Sequence, residues 1–376
     1  MSSPIRILAV IGTRPELVKM APIVNAMRAL PERFAVRVLF SAQHRSLLDG
    51  VAAFFEIHPD RDLDLMRADQ RPSSIATEVT REVERDLAEH TADLVLAQGD
   101  TATVFGAALG AFHARVPFAH VEAGLRTGDL LSPFPEEGYR RLVTSITTLH
   151  FAPTEVAMHA LLREGVPTSF VHMTGNTVID ALLHTVSLRR ACPIAVEEGQ
   201  RLVLVTLHRR ESFGAPLERI VDGLQRLLEE DPSAVIALPM HPNPSVRKTV
   251  MRLAGHPRVR LVEALDYPDF VALLAKAALV ITDSGGVQEE APALGIPVLV
   301  ARESTERPEG VAAGCAELIG SDAGLLVRRA IALLHGPRHH RPMSPYGDGL
   351  ATPRILAAIQ NHFAAKHADT ELACSA

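Results

Sequence analysis

Apolar runs of strand length alternate with helix-like stretches from one end of this chain to the other, and that alternation leaves few folds open. IRILAVI, AVRVLF, DLVLAQ and PFAHVE, starting at Ile5, Ala35, Asp93 and Pro117, are each followed by turn residues and a helix-like segment. This is the pattern of parallel, doubly wound sheets with helices between the strands. A second series begins at RLVLVTLH, Arg201 to His208, and continues through AVIALPM, VRLVEAL, ALVITDS and PVLVAR. The expected fold is therefore α/β, with two Rossmann-like domains built on parallel sheets in tandem. At 376 residues, each half is long enough to bury its own core.

Between the two series, Gly175 to Gln200 reads as a crossing segment: a helical piece around VIDALLHTVSLRR, then ACPIAVEEGQ with the look of a linker. The division is expected near Thr174, giving domains 1–174 and 175–354, with a helical tail that has no strand after it. Net charge is -6 with no long like-charge block, so there is no electrostatic footprint for nucleic acid or an anionic membrane. Any anionic ligand must be held locally. Cys192, Cys315 and Cys374 are scattered, which argues against a disulfide framework and a cysteine zinc site and fits a reducing cytoplasm. The apolar stretch in MSSPIRILAVIG is too short to span a bilayer and reads as a buried first strand, so secretion is not expected. No G-x-G-x-x-G follows that strand and no G-x-x-x-x-G-K-[ST] occurs, so a redox dinucleotide and a Walker-cradled triphosphate are both excluded. No cofactor and no metal are expected.

In open parallel sheets ligands bind beyond the C-terminal strand ends, so the strand-to-helix turns carry the weight. In GTRPELVKM, Gly12 would allow a tight turn, and Arg14 and Lys19 can face an anion near a helix N-terminus, although a solvated arginine beside a loop explains the dipeptide as well. GDTATVFG places Asp100 in an N-cap region, where aspartate is usually only a cap. HVEAGLRTGDLLSPFPEEGYRR ends a strand at Glu122 and brings Glu136 and Glu137 after a Pro-Gly-rich loop. Carboxylates converging from separate loops suit acid/base chemistry, whereas pairing of one of these two glutamates with Arg140 and Arg141 at helical spacing is structural. In the second half, His208 in THRRESFG and His241 in PMHPNPSVR end strands. In TDSGGVQEE, Ser284, Gly285 and Gly286 would let backbone N–H groups approach a pyrophosphate at the positive end of a helix, while Glu290, about a turn on, could reach a ribose diol. Glu289 and Glu290 cannot face the same way, so one of them is expected to do no more than suit the helix dipole. STERPEG adds Arg307 beyond the strand PVLVAR.

GTRPE, QHR, GDT, HVEAGLRTGD, PEEGYRR, TGNTVID, HRRESFG, DSGGVQEE, TERPEG and PYGDG, in this order over Gly12 to Gly349, resemble the non-hydrolysing UDP-N-acetylglucosamine 2-epimerases. The resemblance implies the glycosyltransferase type B fold, with two sheets facing a central cleft and residues 355–376 returning to the first domain. It implies reversible C2 epimerisation by elimination of UDP to 2-acetamidoglucal and re-addition. Asp100, Glu122 and Glu136 are then the acid/base candidates, with His208 near the diphosphate. Arg14 and Lys19 would close on UDP, joined by Arg140, His241 and Arg307 in substrate binding; Ser284, Gly285 and Gly286 would hold phosphate, Glu290 the ribose, and Phe270 would lie by the uracil. Gln43 and His44 match an activator site for a second UDP-sugar, but Asp69 stands where that site has an arginine. Tyr139, Cys315 and Ser344 also depart from the family pattern. A cytoplasmic homodimer is implied, with no nucleic acid or membrane partner. A hydrolysing relative that releases UDP and N-acetylmannosamine, and a binding protein without chemistry, stay open on sequence.

Overall fold

The structure, a computed structural model, describes residues 3–41, 45–65, 70–207, 209, 213–241, 243–336 and 343–374, and the side chains of these apart from 45–47 and 366–374. It falls into two compact units, residues 1–181 with 346–376 and residues 182–345.

In the first unit β1 (Ile5–Ile11), β2 (Phe34–Phe40), β3 (Arg61–Asp62), β4 (Leu94–Gln98), β5 (Phe118–Val121), β6 (Leu149–Ala152) and β7 (Val171–Met173) form a seven-stranded parallel sheet in the order β3-β2-β1-β4-β5-β6-β7. Its helices are α1 (Arg14–Arg28), α2 (Arg45–Phe54), α3 (Pro72–Glu89), α4 (Ala102–His113), α5 (Glu136–Thr144), α6 (Glu155–Arg163) and α7 (Thr177–Ser187), the division between the units falling within α7. The last five residues of β1 are buried without alternation, as both faces of a parallel strand require. Thr13 caps α1 by accepting from Glu16 N, and Thr101 caps α4 by accepting from Val104 N. Gly106 and Gly110 let α4 lie close on α3: a Cβ at Gly106 would stand 2.5 Å from Ala76 O, and one at Gly110 2.8 Å from Thr80 O.

The second unit repeats the scheme with six strands, β8 (Arg201–Thr206), β9 (Ala234–Pro239), β10 (Val259–Val262), β11 (Leu279–Thr282), β12 (Val298–Val300) and β13 (Ala316–Leu318), in the order β10-β9-β8-β11-β12-β13. Its helices are α8 (Ala215–Glu230), α9 (Pro244–Val250), α10 (Tyr267–Leu274), α11 (Gly285–Ala293), α12 (Pro308–Ala312) and α13 (Ala323–His335). Val203, Val205, Ile236 and Ile281 of the sheet pack with Leu224 of α8 and Leu326 of α13 in one core cluster. The final helix α14 (Ala351–Cys374) belongs to the first unit and packs on α1.

The expected α/β class with two parallel sheets is what the structure holds. In each sheet the strand order reverses at one point, between β1 and β4 and between β8 and β11, which is where open α/β sheets bind ligands.

Candidate functional site

In the first unit the turns after β1, β4 and β5 bring together an acid-rich cluster. Glu122 stands one residue past β5 with φ 65, a left-handed conformation that few non-glycine residues adopt. Its carboxylate is surrounded by donors: Lys19 Nζ and Asn176 Nδ2 reach Oε1, the latter at 2.8 Å, and Gln98 Nε2 reaches Oε2. Lys19 is 7% exposed, so its ammonium is engaged by Glu122 rather than projecting freely from α1. Arg14 opens α1, partly exposed.

Asp100 lies just before the Thr101 cap rather than at the cap itself. Arg140, from α5, donates to its Oδ2 through Nε at 2.8 Å and Nη2 at 2.7 Å. The same guanidinium holds Glu137 Oε2 through Nη1 at 2.9 Å, and Arg141 Nε reaches Glu137 Oε1 at 3.3 Å. Burial works to raise the Glu137 pKa, but the Thr127 N–H and the two arginines outweigh it and hold the carboxyl below its usual range. Glu137 is thus the glutamate that pairs along the helix. Glu136, half-buried at the start of α5, is the one that does not; burial, with the Glu136 charge adding to it, raises the Tyr139 pKa. Tyr139 stacks on Phe105 of α4, ring centroids 5.0 Å apart at 12°.

Gly12 differs from its expected role. Its φ is not positive; what requires glycine is close approach, since a Cβ there would collide with Thr103 Oγ1 and lie 2.8 Å from Ser41 Oγ. Its N–H donates to Glu16 Oε2 at 2.6 Å, and burial pushes the Glu16 carboxyl up to about 7 against the Gly12, Thr101 and Thr13 hydrogen bonds. Beneath the turns His120 Nε2 bonds Gly99 O at 2.7 Å; burial lowers its pKa to about 4, with Arg126 adding to the effect and Asp100 and Glu122 opposing it.

In the second unit Thr206 and Thr282, paired in register at the ends of β8 and β11, join hydroxyls at 2.5 Å, and the Ser284 N–H donates back to Thr282 Oγ1 at 2.9 Å. Ser284 is the N-cap of α11 and makes no side-chain cap bond. Arg307 lies against the glycine turn: a Cβ at Gly285 would be 3.0 Å from its Cζ, whereas one at Gly286 would meet nothing within 4 Å. The Gly286 face of the helix start is the open one. Arg307 Nε bonds Glu289 Oε1 at 2.9 Å, and Tyr267 donates its hydroxyl to Glu290 Oε1 at 3.0 Å. Contrary to expectation, neither glutamate is a plain first-turn residue; both are buried and partnered. Arg209, Arg302 and Arg307 converge on Glu306 at 2.8, 2.6 and 3.1 Å, and although burial works to raise its pKa, the three guanidiniums hold it far below the usual range. Phe270 sits half-buried one turn after Tyr267 on α10, and His241 Nδ1, past β9, accepts from Asn243 N at 3.2 Å.

His208, Gln43, His44 and Asp69 lie outside the described residues. Sequence reasoning missed Glu16, Gln98, Asn176 and Tyr267. Gln98 ends its strand directly before the GDT turn, a position that could have flagged it; Asn176 reads as nothing more than a helix cap. Among the described residues no three His, Cys, Asp or Glu side chains are grouped to hold a metal, and no helix is long and apolar enough to cross a membrane.

The family model described as UDP-N-acetylglucosamine 2-epimerase matches residues 27–360. A Salmonella typhimurium protein named UDP-N-acetylglucosamine 2-epimerase is 44% identical over 373 residues, covering 95% of this chain and 99% of its own. A Listeria monocytogenes crystal structure, 44% identical, superposes with a TM-score of 0.92 over 96% of this chain and 97% of that one. The Neisseria meningitidis UDP-GlcNAc 2-epimerase, solved bound to UDP-GlcNAc, is 38% identical with a TM-score of 0.88, covering 95% of this chain and 100% of that one. With a family model and full-length relatives in agreement, the chain belongs to the UDP-N-acetylglucosamine 2-epimerase family.

Proposed function

We propose that the protein interconverts UDP-N-acetylglucosamine and UDP-N-acetylmannosamine by reversible, non-hydrolysing epimerisation at C2. The observation that carries this reading is the set of carboxylates at the strand-end turns of the first unit, Glu122 among three donors and Asp100 held by Arg140, in a chain 44% identical to a named epimerase over nearly its whole length.

The C2 proton of the sugar is not acidic by itself. As the C1–O bond breaks and UDP leaves with the electron pair, positive charge at C1 acidifies it. A carboxylate takes the proton while C1 and C2 form the double bond of 2-acetamidoglucal. Protonation of C2 from the opposite face, with return of UDP to C1, gives the epimer. Two faces need two proton-transfer groups, drawn from Asp100, Glu122 and Glu136, and His208 would assist at the diphosphate. Arg14, Lys19, Arg140, His241 and Arg307 are assigned to the anionic substrate, the turn at Ser284, Gly285 and Gly286 to phosphate, Glu290 to ribose and Phe270 to the uracil. Gln43 and His44 are assigned to a second UDP-sugar as activator. The reading also takes the protein to be a cytoplasmic homodimer.

Proton NMR with UDP-N-acetylglucosamine in D2O tests the reading. Deuterium at C2 together with a growing UDP-N-acetylmannosamine signal is expected. Accumulation of UDP and free sugar would replace it with the hydrolysing reaction, and absence of exchange would refute it.

A further inference from the structure

Asn176 engages all four of its hydrogen-bonding groups, and three serve local architecture. Its N–H donates to Tyr346 O at 2.7 Å, its C=O accepts from Ile179 N at 3.1 Å, and its Oδ1 accepts from Val178 N at 3.1 Å, capping α7. The cap fixes the amide's orientation, because Oδ1 is the atom that can accept. Nδ2 is thereby directed to Glu122 Oε1, 2.8 Å away. The backbone on either side is equally constrained: a Cβ at Gly347 would lie 3.2 Å from Asn176 N, and one at Gly175 3.3 Å from Gly347 Cα. Asn176 is 3% exposed, so this donor is not interchangeable with water.

Lys19 alone would supply the opposite charge that a buried carboxylate needs. Two neutral amides in addition, Asn176 on Oε1 and Gln98 on Oε2, define the plane of the carboxylate and hence the direction in which it faces. For a base that must meet a carbon-bound proton, that direction governs the rate, and small displacements are costly. We propose that Asn176 is a positioning residue for Glu122, aiming its carboxylate at the C2 proton and tying it to the strap at Tyr346–Gly349. The inference rests on Glu122 being a proton-transfer group, as assigned above.

Among the described residues, charged and titratable groups that bear on Glu122 include Lys19 from α1 and His120 from β5, the latter also under the influence of Asp100 and Arg126. The test compares wild type, Asn176→Asp, Asn176→Ser and Glu122→Gln as full-length proteins with UDP-N-acetylglucosamine in D2O, measuring kcat, KM and C2 deuteration from pH 5 to 9. Asn176→Asp keeps the capping oxygen but sets a second carboxylate against Glu122. It is expected to lower kcat on the order of a hundredfold with KM little changed, and to move the acid limb of the rate profile up by about one pH unit. Asn176→Ser keeps a good helix cap and loses the donor without adding charge. It is expected to lower kcat by roughly tenfold with the acid limb in place. A purely structural role would lower the thermal midpoint and leave kcat of folded Asn176→Ser at the wild-type value. Should Asn176→Asp fail to fold, loss of kcat in Asn176→Ser at unchanged KM and thermal midpoint supports the inference, and wild-type kcat there overturns it. If Glu122→Gln is inactive while folded Asn176 variants match wild type in kcat and acid limb, the positioning role alone is wrong. An active Glu122→Gln, or a wild type inert to this substrate, overturns the reading of the site and the inference together.

Discussion

Arg140 places two donors on a single oxygen of Asp100, Nε at 2.8 Å and Nη2 at 2.7 Å, while its third nitrogen holds Glu137. Only a planar fork can serve both acids at once, so lysine is not a conservative replacement here. Arg140→Lys is expected to lower kcat by roughly 10- to 100-fold, a larger loss than any in UDP affinity; a wild-type kcat would refute the coupling of Asp100 to this guanidinium. Arg140→Ala leaves the fully buried Glu137 short of its nearest cation and should cost about 3–5 kcal/mol of stability, read by denaturant unfolding.

Tyr267 and Glu290 make the corresponding pair in the second unit. Burial, reinforced by the Glu290 charge, raises the phenol pKa well above its ordinary value, so the hydroxyl stays a donor at every working pH. Tyr267→Phe should weaken UDP binding about 3- to 10-fold, one hydrogen bond's worth, and leave kcat at saturating substrate near wild type. Calorimetric titration with UDP decides it; unchanged affinity would refute the proposed contact of Glu290 with the ribose.

Two glycines should respond in opposite ways. A methyl group at Gly12 meets Thr103 and Ser41, so Gly12→Ala is expected to lose about 1–3 kcal/mol of stability. Gly286→Ala meets nothing and sits in the first turn of α11, so stability should hold or rise by about 0.5–1 kcal/mol. If that face takes phosphate, UDP binding should nevertheless weaken by about tenfold or more. Thermal melts with and without UDP separate the two.

Glu16 makes a prediction in pH. Its folded carboxyl is raised from 4.5 to about 7 by burial, so the folded state binds the extra proton in that window and stability falls as pH rises through it, by up to about 3 kcal/mol. His120 and His150 act oppositely: burial lowers them to about 4 and about 3, so stability falls as pH drops below their unfolded value of 6.5. Glu16→Gln should be more stable than wild type at pH 8 relative to pH 5, with the acid side unaltered. Equal slopes would mean that Glu16 is ionised in the fold.

The parallel sheets were legible because strands such as IRILAVI and RLVLVT are buried on both faces and read as unbroken apolar runs. Four other strands were not: β3 has two residues, β6 and β7 contain His150 and His172, and β13 is AEL. Pairing with a neighbour, not hydrophobicity, makes these strands. In the site, the carboxylates were visible because acids after strand ends are conspicuous. Their partners were not, since Gln98 and Asn176 are ordinary residues until the fold sets them 24 and 54 positions along the chain from Glu122 against its two oxygens.

That the first unit contains both residues 1–181 and residues 346–376 has a consequence for synthesis. Emerging from the ribosome in order, residues 182–345 can complete their sheet while the earlier residues still lack α14 and the Tyr346 carbonyl that receives Asn176. The unit that begins first is finished last, and the carboxylate Glu122 acquires its full set of neighbours only when the strap has been made. Nascent chains halted before that point should bind UDP, if the second unit holds it, before they can move a proton.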